Sequence, residues 1–200
     1  GILIGRLSGI VAHHVPSYLK KNNLPSIKTN SIEDWEEKVN EICNETINEN
    51  MTTIGGIPSW VQMYFETLLK KSNKKNIGQV FKNLKLYVYG GVNFSPYEKI
   101  FNKLLGKKIN TIEYYPASEG FFAYQNSQKD KSLLLQYNSG MFYEFIKTNE
   151  FESKKYTRYN LTNVEVGVNY ILAVTSNAGL WAYNTGDTVK FTSLNPPKIL

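Results

Sequence analysis

The sequence predicts an α/β fold that passes into an antiparallel, β-rich portion. Apolar residues recur at helical spacing over residues 32–49 and again from Pro58 to Leu69. A strand, a glycine pair, a helix and a second strand then follow one another between Leu84 and Tyr114. That succession is the logic of an α/β layer. Beyond residue 120 short strand-like runs alternate with turn residues, as in an antiparallel sheet. Two portions are therefore expected. Residues 1–120 carry the helices and the strand-Gly-Gly-helix unit, and residues 121–200 form a β-rich subdomain.

The elements follow in order. Gly9 to Leu19 suggests a helix interrupted by Pro16, since proline removes a backbone donor and clashes with the preceding turn. Over 32–49, Ile32, Trp35, Val39, Ile42, Cys43 and Ile47 share one helical face. Ser31 with Asp34 approximates a capping box, and the early acids suit the positive end of the helix dipole. The next helix starts at Pro58, a favoured first-turn residue. Its expected buried stripe is Trp60, Val61, Tyr64, Phe65, Leu68 and Leu69. A strand over Leu84–Tyr89 runs into Gly90-Gly91. Ser95-Pro96-Tyr97-Glu98 then offers a cap, a first-turn proline and a capping acid for a helix over 96–105. Its expected inward residues are Tyr97, Ile100, Phe101 and Leu104. A strand over Lys108–Tyr114 leads to Tyr115-Pro116-Ala117-Ser118-Glu119-Gly120. Further strands are expected at Phe121–Gln125, Ser132–Tyr137, Met141–Lys147, Val168–Thr175, Gly179–Tyr183 and Thr188–Thr192, with an extended segment at Pro196–Leu200.

Composition narrows the function classes. Apolar residues make up 42% and charged residues 20% of the 200 residues, which is ordinary globular composition with enough chain for a sizeable core. No apolar run reaches the roughly 18–20 residues of a membrane span, and no secretory signal opens the chain. Cys43 is the single cysteine, so no intrachain disulfide forms, and a cytoplasmic setting is expected. The net charge of +6 is uneven. Residues 31–50 hold seven acids and one Lys, whereas residues 66–108 hold ten Lys and two Glu. Such a basic stretch suits either solvated helix faces or an anionic partner. His13-His14 are the only histidines, and adjacent side chains point apart, so they predict no metal site. The chain does not begin with Met and ends on an extended segment, as a piece of something longer would.

Two segments concentrate chemistry. Glu119 stands where a strand breaks into a loop, a place from which a carboxylate can hold Mg²⁺ against phosphate oxygens. Ser118 can donate to a phosphate, and Tyr115 offers a flat face to a purine. In Tyr183-Asn184-Thr185-Gly186-Asp187, a turn between two strands would present Asp187 to both hydroxyls of a ribose. Gly90-Gly91, after a strand, lets backbone approach a flat ligand. Each segment alone also fits a plain turn: a strand-end turn with a solvated Glu, a Gly-Asp hairpin, a tight glycine turn. Cys43, Trp35 and Trp60 suit core positions.

Taken together, Gly56-Ile57-Pro58-Ser59-Trp60, Tyr89-Gly90-Gly91, Tyr115–Phe122 and Ala178–Asp187 resemble the acyl-adenylate-forming superfamily. Within it they are most similar to the auxin-responsive acyl-acid amido synthetases of bacterial type. The resemblance is strong from about residue 50 onward, and it implies the central part of a larger N-terminal domain. It implies an ATP- and Mg²⁺-using ligase that adenylates a small carboxylic acid, releases pyrophosphate and passes the acyl group to an amine or amino acid. By that resemblance Tyr115 stacks on adenine, Ser118 touches the α-phosphate, Glu119 is catalytic and holds Mg²⁺, and Asp187 binds the ribose. Gly90 and Gly91 line the nucleotide and acyl site, with Trp60 and Tyr64 walling the acyl pocket. Neither nucleic acid nor membrane is an expected partner. Asn184 stands where many relatives carry Arg. The family's phosphate loop and its C-terminal domain with a mobile lysine have no counterpart in these residues, so the 200 residues alone are expected not to turn over. The alternative is a non-catalytic nucleotide- or nucleic-acid-binding module using the lysine-rich stretch.

Overall fold

A computed structural model describes residues 14–153 and 155–200. The chain divides into two compact units, Gly1–Asn110 and Thr111–Leu200. Residues 9–13 of the expected first helix, His13 among them, lie outside the described residues.

In the first unit, two single-turn helices, α1 (Ser17–Lys20) and α2 (Ile27–Asn30), precede α3 (Trp35–Thr46). Asp34 caps α3, its carboxylate accepting from the Glu37 amide at 2.7 Å. The expected cap, Ser31, instead closes α2, donating its hydroxyl to the Ile27 carbonyl at 2.8 Å. The upstream turn thus uses Ser31, and the start of α3 moves to the next side chain able to cap. Val39 and Cys43 face the core. Burial pushes the Cys43 thiol up to about 11, which keeps it protonated and inert.

Strand β1 (Thr53–Gly55), helix α4 (Pro58–Ser72), the short α5 (Ile77–Val80) and strand β2 (Leu86–Gly90) form a βαβ unit, with β1 and β2 parallel. Pro58 occupies the first turn of α4, and Asn73, in the left-handed region, ends it. Gly56 makes the turn into α4, because a Cβ there would lie 2.9 Å from Val61 Cγ2. Val61, Phe65 and Leu68 are buried as expected, but Trp60 is 41% exposed. Helix α6 (Glu98–Leu105) begins later than its proline suggested. Residues 94–97 form a turn, with the Tyr97 amide donating to the Phe94 carbonyl at 2.8 Å. Phe101 and Leu105 are the buried residues of α6, and Ile100, expected inward, is 42% exposed. Phe101 stacks on Tyr87 of β2 with ring centroids 5.1 Å apart, and Phe94 meets it edge-on.

The second unit is a curled antiparallel sheet. Its strands are β3 (Asn110–Ala117), β4 (Gly120–Gln125), β5 (Leu133–Leu135), β6 (Met141–Lys147), β7 (Asn169–Ser176), β8 (Tyr183–Leu194) and β9 (Pro197–Ile199), with the short helix α7 (Thr148–Phe151) after β6. They lie in the order β3-β4-β5-β9-β8-β7-β6. The strand expected at Thr188–Thr192 lies within β8, which starts only at Tyr183; residues 179–182, expected as strand, are instead the irregular turn before it. The terminal extended segment is β9, paired to both β5 and β8. The α/β layer followed by a β-rich unit is the architecture that the sequence predicts.

The curl is visible in one contact. β4 and β6 are far apart in the strand order, yet the Phe122 and Tyr143 rings are 6.2 Å apart. Tyr143 donates to the carbonyl of Gln136, just past β5, at 3.1 Å. Inside, Phe145, Tyr170 and Phe191 meet edge-to-face, the first and last at 5.0 Å. The Tyr170 hydroxyl accepts from the Glu165 amide, so this fully buried ring leaves no polar atom without a partner. Among the described residues no helix is long and apolar enough to cross a membrane. Phe145→Ala is expected to lower unfolding stability by about 3–5 kcal/mol, read from denaturant melts, because a fully buried ring leaves a cavity.

Candidate functional site

The first acidic segment is a hairpin tip. Ala117 pairs with Gly120, so Ser118 and Glu119 are the two residues between β3 and β4. Ser118 is exposed and Glu119 half-exposed. Glu119 makes no hydrogen bond or ion pair with another described residue, which leaves its carboxylate available. A register shift at Tyr115/Pro116 marks a bulge in this pair of strands. The Tyr115 ring rests edge-on against Phe122, centroids 5.0 Å apart, and so is held by the aromatic core.

The second segment departs from the sequence expectation. Thr185-Gly186-Asp187 is not a turn joining two strands but a bulge inside β8. Ile171 pairs with Thr188 and Ala173 with Asn184, so three residues of β8 stand opposite Leu172 alone. Side chains build the bulge. Asn184 Oδ1 accepts from the Gly186 amide at 2.9 Å. Thr185 Oγ1 accepts from the Asp187 amide at 3.2 Å and donates to the Leu172 carbonyl at 3.1 Å. These are the local bonds by which Asn and Thr divert a chain from a regular ladder. Gly186 has φ +81°, a conformation that strains any residue with a Cβ. Thr185 is thus a structural member of the site, and a Thr hydroxyl's tendency to bond the amide two residues on is its signal in the sequence.

The bulge and the hairpin meet. The Tyr115 hydroxyl donates to Asp187 Oδ2 in a short hydrogen bond across 72 positions of sequence. The Tyr115 phenol is held well above its ordinary range, first by burial and then by the accepting Asp187 carboxylate, with a smaller push from the charge of Glu119. Both carboxylates thus act on one phenol, which stays protonated and serves as a donor. Asp187 itself is exposed. Beside the bulge, Trp181 is 80% exposed and Ala182 takes φ +46°.

The remaining expected residues belong to the first unit. Gly90 ends β2 and is buried, and Gly91, with φ +82°, turns the chain away from it. Trp60 packs against Trp35 at 4.9 Å. Tyr64, expected with Trp60 on a pocket wall, lies on the same helix, α4. Tyr64 is a core residue, and its hydroxyl lies 2.7 Å from Thr46 Oγ1, which donates to the Ile42 carbonyl. Its polar tip is therefore used inside the unit. Among the described residues no three His, Cys, Asp or Glu side chains converge on a metal position.

Comparison with known proteins places this architecture. The GH3 family N-terminal domain matches residues 3–109, and the GH3 family central domain matches residues 134–199. The chain belongs to the GH3 family. A solved GH3.15 acyl acid amido synthetase superposes with a TM-score of 0.66 at 14% identity, over 92% of this chain and 42% of that one. The AtGH3.15 acyl acid amido synthetase in complex with 2,4-DB gives 0.62 at 14%, over 91% and 42%. An open conformation of 2-hydroxyisobutyryl-CoA ligase, in complex with 2-HIB-AMP and CoA, gives 0.54 at 12%, over 88% and 35%. No curated protein sequence matches. At such identities the likeness is one of fold, that of an adenylate-forming N-terminal domain, and this GH3 chain spans less than half the length of those relatives.

Two outcomes test the site without any ligand. Gly186→Ala should destabilise by about 1–2 kcal/mol, measured by denaturant unfolding. A Cβ there meets nothing within 4 Å, so the cost is one of backbone alone. Asp187→Asn should let Tyr115 ionise at lower pH, read by NMR from its ring carbons. The carboxylate stabilises the protonated phenol, and its loss removes one of the two main upward pushes.

Proposed function

We propose that this GH3 chain forms the adenylating part of an ATP-dependent acyl-acid amido synthetase. Such an enzyme activates a small carboxylic acid as its acyl-adenylate and passes the acyl group to an amine or amino acid. The observation that supports this best is the joining of Tyr115 and Asp187, from two distant segments, with Ser118 and Glu119 on the adjoining hairpin tip. An aromatic face, a carboxylate with acceptor capacity to spare, a hydroxyl and a second carboxylate are the groups that a nucleotide needs.

The roles follow from chemistry. Tyr115 meets the adenine, and Asp187 accepts from the ribose hydroxyls. Ser118, exposed at the tip, donates to the α-phosphate. The donor set fits Mg²⁺, which is commonly held by one or two carboxylates with substrate phosphates and water completing the shell. Glu119 would hold it, and the ion would supply neutralisation of phosphate charge as the acid's carboxylate attacks the α-phosphorus and pyrophosphate leaves. No nucleophilic side chain takes part, so positioning and electrostatics carry the acceleration.

The test is pyrophosphate release by the complete translated product of the reading frame that carries residues 1–200. It is run against a panel of carboxylic acids, with amino acids or coenzyme A as acceptor to separate amide from thioester formation. Glu119→Ala and Asp187→Ala should each lower the rate by about a hundredfold, the scale of losing a transition-state or positioning contact. Undiminished rates in both variants would reject these roles.

A further inference from the structure

We infer that the Tyr115 hydroxyl is a positioning group that makes Asp187 a reader of ribose hydroxyls, separately from any stacking by its ring. The inference rests on the nucleotide reading above and concerns the same site.

Asp187 sits on an exposed bulge, where a carboxylate would ordinarily swing freely about its side-chain torsions. Two contacts remove that freedom. The Thr185 hydroxyl holds the Asp187 amide, and through its own bond to the Leu172 carbonyl it anchors the bulge to β7. The Tyr115 hydroxyl then holds one carboxylate oxygen, Oδ2. Tyr115 is itself immobilised by Phe122, which is completely buried. The orientation of an exposed acid is thus inherited from the aromatic core through a single phenol.

A carboxylate has about four acceptor positions, and the phenol uses one. Oδ1 and the second lone pair of Oδ2 remain for a ligand. A pair of vicinal hydroxyls therefore meets an acceptor whose plane is already set, and the ordering cost at binding is reduced. Nothing in this arrangement helps a ligand that lacks those hydroxyls. Removing the phenol oxygen while keeping the ring should weaken only ligands that reach Asp187.

Tyr115→Phe keeps the ring and its contact with Phe122, so it isolates the hydroxyl. Binding of ATP and of 2′,3′-dideoxy-ATP to wild type and Tyr115→Phe is measured by calorimetry on the complete translated product. Wild type should prefer ATP by about thirtyfold. Tyr115→Phe should lose about tenfold for ATP, the range for a hydrogen bond to a charged group, and stay within about twofold for the dideoxy nucleotide. In steady state the same variant should raise KM for ATP with kcat little changed. In an Asp187→Asn background, adding Tyr115→Phe should cost nothing further toward ATP, a check that holds even if the single variant is less stable. Equal weakening of both nucleotides by Tyr115→Phe, or additive losses in the double variant, would overturn this inference while leaving the nucleotide site standing. Failure of wild type to bind either nucleotide would overturn the site reading and this inference with it.

Discussion

The curl of the second unit's sheet around its aromatic core is the constraint on which the candidate site depends. β3 and β8 are not neighbours in the sheet, for β4, β5 and β9 lie between them. In a flat sheet a side chain on one would lie beyond hydrogen-bond reach of the other, since strands are spaced by nearly 5 Å. The packing of Phe122, Tyr143, Phe145, Tyr170 and Phe191 bends the sheet back on itself and brings Tyr115 to Asp187. Apolar burial, which has no direction of its own, is thereby converted into the placement of a charged group.

The β8 bulge is the second device. A regular strand would alternate its side chains between the two faces and carry Asp187 through the ladder. The bulge sets three residues of β8 against Leu172 and re-aims the acid, as bulges next to functional sites commonly do. Its construction is local: an Asn, a Thr and a left-handed Gly in consecutive positions. Local chemistry makes the bulge and nonlocal packing supplies its partner, so loss of either would leave Asp187 exposed but unoriented.

The first unit obeys a simpler rule. Its βαβ arrangement depends on β1, whose three residues pair in parallel with β2, and on Gly56, which turns the chain into α4. Aromatic residues again set the packing, with Tyr87 and Phe101 joining β2 to α6. The buried Tyr64 hydroxyl is satisfied through Thr46, which joins α4 to α3. Trp60 faces out because the helical stripe is narrower than its count of apolar residues suggested.

Much was determined by the sequence alone. The helical spacing of α3 and α4, Pro58 at a helix start and the strand-like run Met141–Lys147 are local signals, and they mark those elements within a few residues. The two acidic segments were visible because Tyr, Ser, Glu and Asp beside glycine are chemically unusual company. Tertiary structure decided the rest. β1 and β9 are too short to show a period, and they exist only because partners elsewhere in the chain offer them hydrogen bonds. Ser31 and Ser95 looked like caps, but neighbouring turns use those positions, a competition that spacing does not reveal. The Gly-Asp segment carried the signature of a hairpin. It became a bulge because β7 continues alongside it on both sides. The bond from Tyr115 to Asp187 had no signature at all. It is a product of sheet curvature, which arises from the summed packing of many buried rings and is therefore written in no single stretch of sequence.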